Sequence, residues 1–234
     1  GVLGSAVGMD KDVMKRLLRD AGIPIANFLV ARSHEKINFS DAKKKLGVPM
    51  FVKPANLGSS VGVSKVRNED EFETALTHAF EFDTKVIIEE FIEGREIECS
   101  VIGNENPIAS LPGELIIKDD FYSYEAKYID LDAMVPQVPA KLSKVLTKKI
   151  QELAVLAYQS LCCEGMGRVD FFVTKDERVL VNEINTIPGF TNISMYPKMW
   201  EASGLSYSKL IDTLINLAIE RHAKEKKLKT SRAE

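Results

Sequence analysis

Apolar positions along the chain recur alternately with a helical and a two-residue period. Over residues 10–21, Val13, Met14, Leu17, Leu18 and Ala21 share one helical face, and Gly22 and Pro24 then stop the helix. Residues 25–30 read as a strand, and Ser40 is placed to cap a short basic helix ending at Gly47. Residues 48–54 and 63–66 read as strands joined by the glycine- and serine-rich loop 56–62. Asn68, with Glu71 three positions on, looks like a capping box for a helix that buries Phe72, Leu76 and Phe80. Residues 86–92 read as a strand. After Gly94, the alternation of Glu96, Glu98 and Ser100 with Ile97, Cys99 and Val101 predicts a half-buried one. Residues 112–139 show no clean period, and a connection that long is usually functional or disordered. Leu142, Val145, Leu146, Ile150, Leu153, Ala157 and Leu161 mark a long amphipathic helix. Residues 168–173 and 179–185 form a hairpin around Lys175-Asp176-Glu177, and residues 207–218 form a last helix before a polar tail. The hairpins imply antiparallel pairing, so the class is α+β rather than doubly wound.

Composition narrows the function classes. A chain of 234 residues fills one large domain or two smaller ones, and 45% hydrophobic with 28% charged residues excludes disorder or a fibre. A net charge of −3 gives no reason to expect nucleic-acid binding. Apolar runs such as 86–88 are too short to span a bilayer, and the first residues lack the pattern of a signal peptide. Cys99, Cys162 and Cys163 form no CxxC pair and favour a reducing compartment, so a cytoplasmic protein without membrane partners is expected. Gly1 in place of Met suggests a processed or truncated chain. His34, His78 and His222 share no motif and read as surface residues.

Four segments carry candidate chemistry. The loop Gly58-Ser59-Ser60-Val61-Gly62, five residues after Lys53, offers backbone amides, hydroxyls and an ammonium to an anion. Read alone, it is as readily a glycine-rich hairpin beside a surface lysine. Arg168 and Asp170 on one strand, with Glu183 and Asn185 on the next, crowd hard oxygen ligands that suit Mg²⁺ shared with phosphates. The bland alternative is a solvated hairpin face or an Arg168–Asp170 ion pair. The run from Asn185 through Gly189 to Ser194 holds donors for an oxyanion or carboxylate, although alone it is an ordinary turn. Glu89, Glu90, Phe91, Ile92 and Glu96 mix acceptors and apolar groups that could line an adenine and ribose pocket, or simply a charged strand.

Taken in order, the segments Met9-Asp10-Lys11, Val52-Lys53-Pro54, the Gly58–Gly62 loop, Glu89, Glu96, Tyr124-Glu-Ala-Lys127-Tyr128, Gly167-Arg168-Val-Asp170 and Glu183-Ile-Asn185-Thr-Ile-Pro188-Gly189 closely resemble the D-alanine–D-alanine ligases of the ATP-grasp superfamily. The resemblance implies ATP between two α+β lobes, here residues 1–88 and 89–234. It implies Lys11 and Lys53 on the phosphates with Ser59 and Ser60 folding over them, and Glu89, Glu90, Phe91 and Ile92 at the adenine with Glu96 at the ribose. Asp170, Glu183 and Asn185 would bind two Mg²⁺ or Mn²⁺ ions. Arg168 and the Gly189 amide would stabilise developing charge, Ser194 and Met195 would dock the second D-alanine, and Lys127 and Tyr128 would close a mobile loop over the site. Lys127-Tyr128 points to an amine acceptor, hence to D-alanyl-D-alanine for peptidoglycan rather than a D-lactate ester. The family also carries an N-terminal domain whose glutamate partners Ser59 and Tyr128. That glutamate has no counterpart in this sequence, so the chain is expected to keep its nucleotide and metal sites and to be weak or inactive alone. A homodimer is expected of the full-length protein. Another ATP-grasp carboxylate–amine ligase, or a nucleotide-binding fragment, are the alternatives.

Overall fold

The computed structural model describes residues 1–117 and 134–229. In chain order, α1 (Val2–Met9), α2 (Lys11–Asp20), β1 (Phe28–Arg32), α3 (Phe39–Leu46), β2 (Met50–Pro54), β3 (Ser64–Val66), α4 (Glu69–Phe80) and β4 (Lys85–Glu90) come first. There follow β5 (Gly94–Gly103), β6 (Ile108–Ala109), β7 (Gly113–Ile117), β8 (Met134–Gln137), α5 (Lys144–Ser160), β9 (Gly165–Thr174), β10 (Val179–Asn185), α6 (Met195–Ala202) and α7 (Tyr207–Glu225). Among the described residues the strands make a four-stranded sheet, β1-β4-β2-β3, and a six-stranded one, β10-β9-β5-β7-β8 with β6 on β5. The strand pairs within both sheets are antiparallel, as the hairpins require.

The small sheet turns Met50, Val52 and Ile88 into a core with Phe72, Ala75 and Leu76 of α4. Its register sets Phe51 opposite Glu89 and Lys53 opposite Ile87, so the other face presents Phe51, Lys53, Ile87 and Glu89. The large sheet turns Ile97, Cys99, Val101, Val169, Phe171 and Val173 toward Ile150, Ala154 and Ala157 of α5. Its opposite face carries Glu96, Glu98, Arg168 and Asp170 at one end. At the other end, Ile102 packs with Tyr196 and Trp200 of α6 and Leu210 of α7.

Several expectations shift. The strand expected at 25–30 begins at Phe28, because Ile25 first bridges to Val181 of β10 and the Pro24 carbonyl accepts the Val181 amide at 2.8 Å. The chain therefore touches the large sheet before entering the small one. Met14, Leu18 and Ile23 sit in the large-lobe core, while Lys15 and the Lys11 amide reach Glu89 and Ala55 of the small lobe, and β4 runs to Glu90. The cap of α3 is Asn38, whose side chain accepts from the Asp41 amide at 2.8 Å, and Ser40 lies inside the helix. Asn68 does cap α4, but Glu71 reaches past the Asn68 amide to accept from the Arg67 amide, one residue beyond the capping-box position. β5 is buried on both faces from Ile97 onward, because α6 covers the side read as solvated. The ends of the 112–139 connection are strands β7 and β8, and Tyr124, Lys127 and Tyr128 lie outside the described residues.

Two helices carry little sequence signal. In α1, a Cβ on Gly4 would stand 2.8 Å from the Cys162 carbonyl, so this turn is glycine because its backbone lies directly on the 162–163 turn. In α6, Pro197 breaks the expected pattern yet sits in the first turn, where its missing N–H is tolerated.

Candidate active site

The acidic side of the cleft is built by register. Across β5, β9 and β10, Glu98 stands opposite Asp170 and Asp170 opposite Glu183, with Ser100, Arg168 and Asn185 forming the adjacent row. A β-bulge between Val181 and Glu183 makes this possible. Val181 faces the core, and an unbroken two-residue period would bury Glu183. The extra residue, Asn182, resets the phase, so Ile184 packs inward and Glu183 and Asn185 face the cleft.

Three carboxylates abreast repel one another, and the compensation is partial. Arg168 donates from Nε and a terminal nitrogen to the two oxygens of Asp170, both at 2.7 Å. Asn185 Nδ2 donates to Asp170 at 3.0 Å. Glu98 Oε2 lies 3.2 Å from Arg168 Nε without an aligned hydrogen bond, and among the described residues it has no hydrogen-bond partner. Burial, then the neighbouring Asp170 charge, pushes the Glu98 carboxyl up to about 8. Asp170 is also raised, by burial and then Glu183, despite its arginine. Among the described residues no three His, Cys, Asp or Glu side chains converge to hold a metal by themselves. The fit to a hard divalent cation therefore rests on surplus negative charge and oxygen donors, with the Asn185 carboxamide as the third group.

The small lobe faces this row with cations. Lys11 and Lys53 line the same cleft as Glu96, Glu98, Arg168, Asp170 and Glu183. The Lys11 ammonium donates to the Leu57 carbonyl, and burial lowers its pKa. Lys53 donates to Glu89 Oε2, while fully buried Lys15 of α2 pairs with Glu89 Oε1. Burial works against the charged Glu89, but the Lys15 and Lys53 ammoniums overcome it and hold the carboxyl at about 2. Gly58, Ser59 and Ser60 border the cleft, with Ser59 and Ser60 at φ of 52° and 57°, a left-handed strain that recurs at functional loops.

Lys11, Lys53, Ser59, Ser60, Glu96, Arg168, Asp170 and Glu183 thus gather as expected from the sequence. Others are placed differently. The Glu89 carboxylate is turned to the lysines rather than toward a base, and Glu90 is taken up by the Asn27 amide and side chain at 2.7 and 3.0 Å. Phe91 pairs with Phe51 at 6.0 Å and lies 3.9 Å below Lys65 Nζ, while Ile92 is half-buried beside it. Gly189 is exposed and stands against Ser194, whose Oγ accepts from the Thr191 amide at 3.1 Å in a closed turn. The Met195 side chain is buried and fills the space where Gly113 lacks a Cβ, so what it offers a ligand is its amide at the N-terminus of α6. Sequence reasoning missed Lys15, Phe51 and Glu98. The signal for Glu98 was present in the acidic alternation of β5, but for Lys15 there was none.

The sequence of residues 17–216 matches the family described as the D-ala D-ala ligase C-terminus. The chain belongs to that family. All of it aligns at 57% identity with a D-alanine–D-alanine ligase of Oceanobacillus iheyensis, and it spans 64% of that relative's length. The structure superposes on the D-alanine–D-alanine ligase of Coxiella burnetii with a TM-score of 0.87 and 44% identity, covering 97% of this chain and 61% of that one. It also superposes on the Bacillus anthracis enzyme complexed with ATP, at TM-score 0.81 and 31% identity, covering 95% and 70%. The two lobes are therefore those of the ATP-grasp fold of this ligase family. Among the described residues no helix is long and apolar enough to cross a membrane.

Proposed function

We propose that the chain is the nucleotide- and metal-binding part of a cytoplasmic ATP-dependent ligase that joins two D-alanines into D-alanyl-D-alanine for the cell wall. The observation that carries this reading is the acidic row Glu98–Asp170–Glu183 facing Lys11 and Lys53 across one cleft. A triphosphate bearing divalent cations is complementary to both sides at once.

In this reading Lys11 and Lys53 hold phosphate oxygens, and the strained Ser59–Ser60 turn covers them. The base lies on Phe51 and Phe91, and Glu96 takes ribose hydroxyls. Asp170, Glu183 and Asn185 are the residues for two Mg²⁺ or Mn²⁺ ions, which supply charge neutralisation at the transferred phosphoryl group when bound. The carboxylate of the first D-alanine attacks the γ-phosphorus and ADP leaves. The amine of the second attacks the acyl carbon of the resulting D-alanyl phosphate and expels phosphate. Arg168 keeps three of its five N–H donors after the bidentate bond to Asp170, and these aim at developing negative charge. Ser194 and the amide of Met195 at the start of α6 receive the carboxylate of the second D-alanine. Exclusion of water from the acyl phosphate falls to Lys127 and Tyr128, on family resemblance, as does a homodimeric full-length protein.

Phosphate release tests the reading. The 234-residue chain is expected to bind ATP in the presence of Mg²⁺ with little turnover, and the full-length protein to release phosphate only when D-alanine is added. Release that ignores D-alanine in the full-length protein would favour a different acid or amine. No Mg²⁺-dependent nucleotide binding by the chain would remove the basis of the proposal.

A further inference from the structure

Behind the cleft lies a charged group that the reaction scheme does not use. Lys15 is fully buried, does not line the cleft and cannot touch a ligand there. Glu89 is 3% exposed and likewise absent from the lining, yet its two oxygens are divided between Lys15 and Lys53. Of the three, Lys53 alone reaches the cleft. The backing cation also comes from a separate element. Lys15 projects from α2, whose Met14 and Leu18 are rooted in the large-lobe core, whereas Glu89 and Lys53 sit on neighbouring strands of the small sheet.

Without Lys15, Lys53 would be the one ammonium hydrogen-bonded to the buried Glu89 carboxylate among the described residues. A phosphate would then have to strip Lys53 away and leave Glu89 charged and unpaired in the interior, a costly state. With Lys15 in place, Glu89 keeps a partner when Lys53 turns to the ligand. We infer that Lys15 is a positioning residue for the nucleotide site, neutralising Glu89 from behind so that Lys53 is released to the triphosphate. This rests on the nucleotide reading above and adds a residue to it. Lys15 acts through Glu89, so its loss is expected to affect phosphate-bearing ligands and to spare the base and sugar.

The test compares the affinity of the 234-residue chain for a non-hydrolysable ATP analogue with Mg²⁺ and for adenosine. Lys15→Met is expected to weaken the analogue at least about tenfold and to leave adenosine within about twofold. Adding Glu89→Gln to Lys15→Met removes the carboxylate that traps Lys53 and is expected to restore analogue affinity to that of Glu89→Gln alone. Unchanged analogue affinity in Lys15→Met, an equal loss for adenosine, or no rescue by the second substitution would each overturn the inference while leaving the site reading intact. No analogue binding by the unsubstituted chain would overturn both. Should Lys15→Met not fold, Glu89→Gln and the double variant still decide. Equal analogue affinity supports the inference, because with Glu89 neutral Lys15 has lost its ion-pair partner. A loss confined to the double variant overturns it.

Discussion

The two walls of the cleft solve opposite electrostatic problems in different ways. On the small-lobe side, the buried carboxylate Glu89 is given two cations, Lys15 and Lys53, and is held at about 2. On the large lobe, Glu98, Asp170 and Glu183 stand in one row with Arg168 among them, and Glu98 rises to about 8. Among the described residues, one wall supplies more cations than carboxylates and the other more carboxylates than cations. The contrast teaches that burial alone does not decide a carboxylate's state; the number of cations supplied with it does.

The largest expected effect tests the acidic wall. Asp170→Asn in the full-length protein should lower D-alanine-dependent phosphate release by about 10³-fold or more, since on the proposed reading it removes a ligand for the divalent cations. Retention of near-normal turnover would show that the acidic row has a structural purpose instead. Arg168→Met comes next, with a loss of about 10²–10³-fold in kcat and a smaller change in KM, as expected of a donor aimed at transition-state charge. A pure KM effect would place Arg168 in ground-state binding.

A third measurement sets the two walls directly against each other through stability and pH, in the metal-free chain. Glu98 keeps its proton in the native state up to about 8, whereas unfolded chains release it near 4.5. Its contribution therefore turns unfavourable as pH rises from about 4.5 to 8 and levels off beyond. Glu89 has the opposite sign: its contribution is complete above 4.5 and is lost as pH falls toward about 2. Urea melts from acid to mildly alkaline pH should show Glu98→Gln flattening the alkaline decline, by roughly 1–3 kcal/mol. Glu89→Gln should flatten the acid limb by a similar amount. Identical pH profiles for both variants would erase the distinction. The smallest effect is a control away from both walls: Asn68→Ala removes the α4 cap and should cost about 1 kcal/mol of stability with no change in nucleotide affinity.

The hairpin that carries Arg168, Asp170, Glu183 and Asn185 was readable because its strands alternate and its turn is polar and short. The bulge at Asn182 was not, since a one-residue phase change looks like noise in a seven-residue strand. Lys15 carries no local signal in the sequence; its ion pair with Glu89, on a distant strand, is what marks it as interior. The helix α1 escaped because its glycines serve close packing, Gly4 against Cys162 and Gly8 against Ile184 and Thr186, which no local period records. The strand holding Glu98 reads as half-buried, because the cover over its Ser100 comes from α6, almost a hundred residues later, where the Tyr196 carbonyl accepts from Ser100.

Helix α2 belongs to two neighbourhoods at once. Met14 and Leu18 are sunk in the interior of one lobe, while Lys11 and Lys15 a turn away serve the other. A random library scored for nucleotide response should therefore return hits in that greasy seam, at positions without a polar atom of their own, because a shift of the helix's heel moves the charged tips it bears.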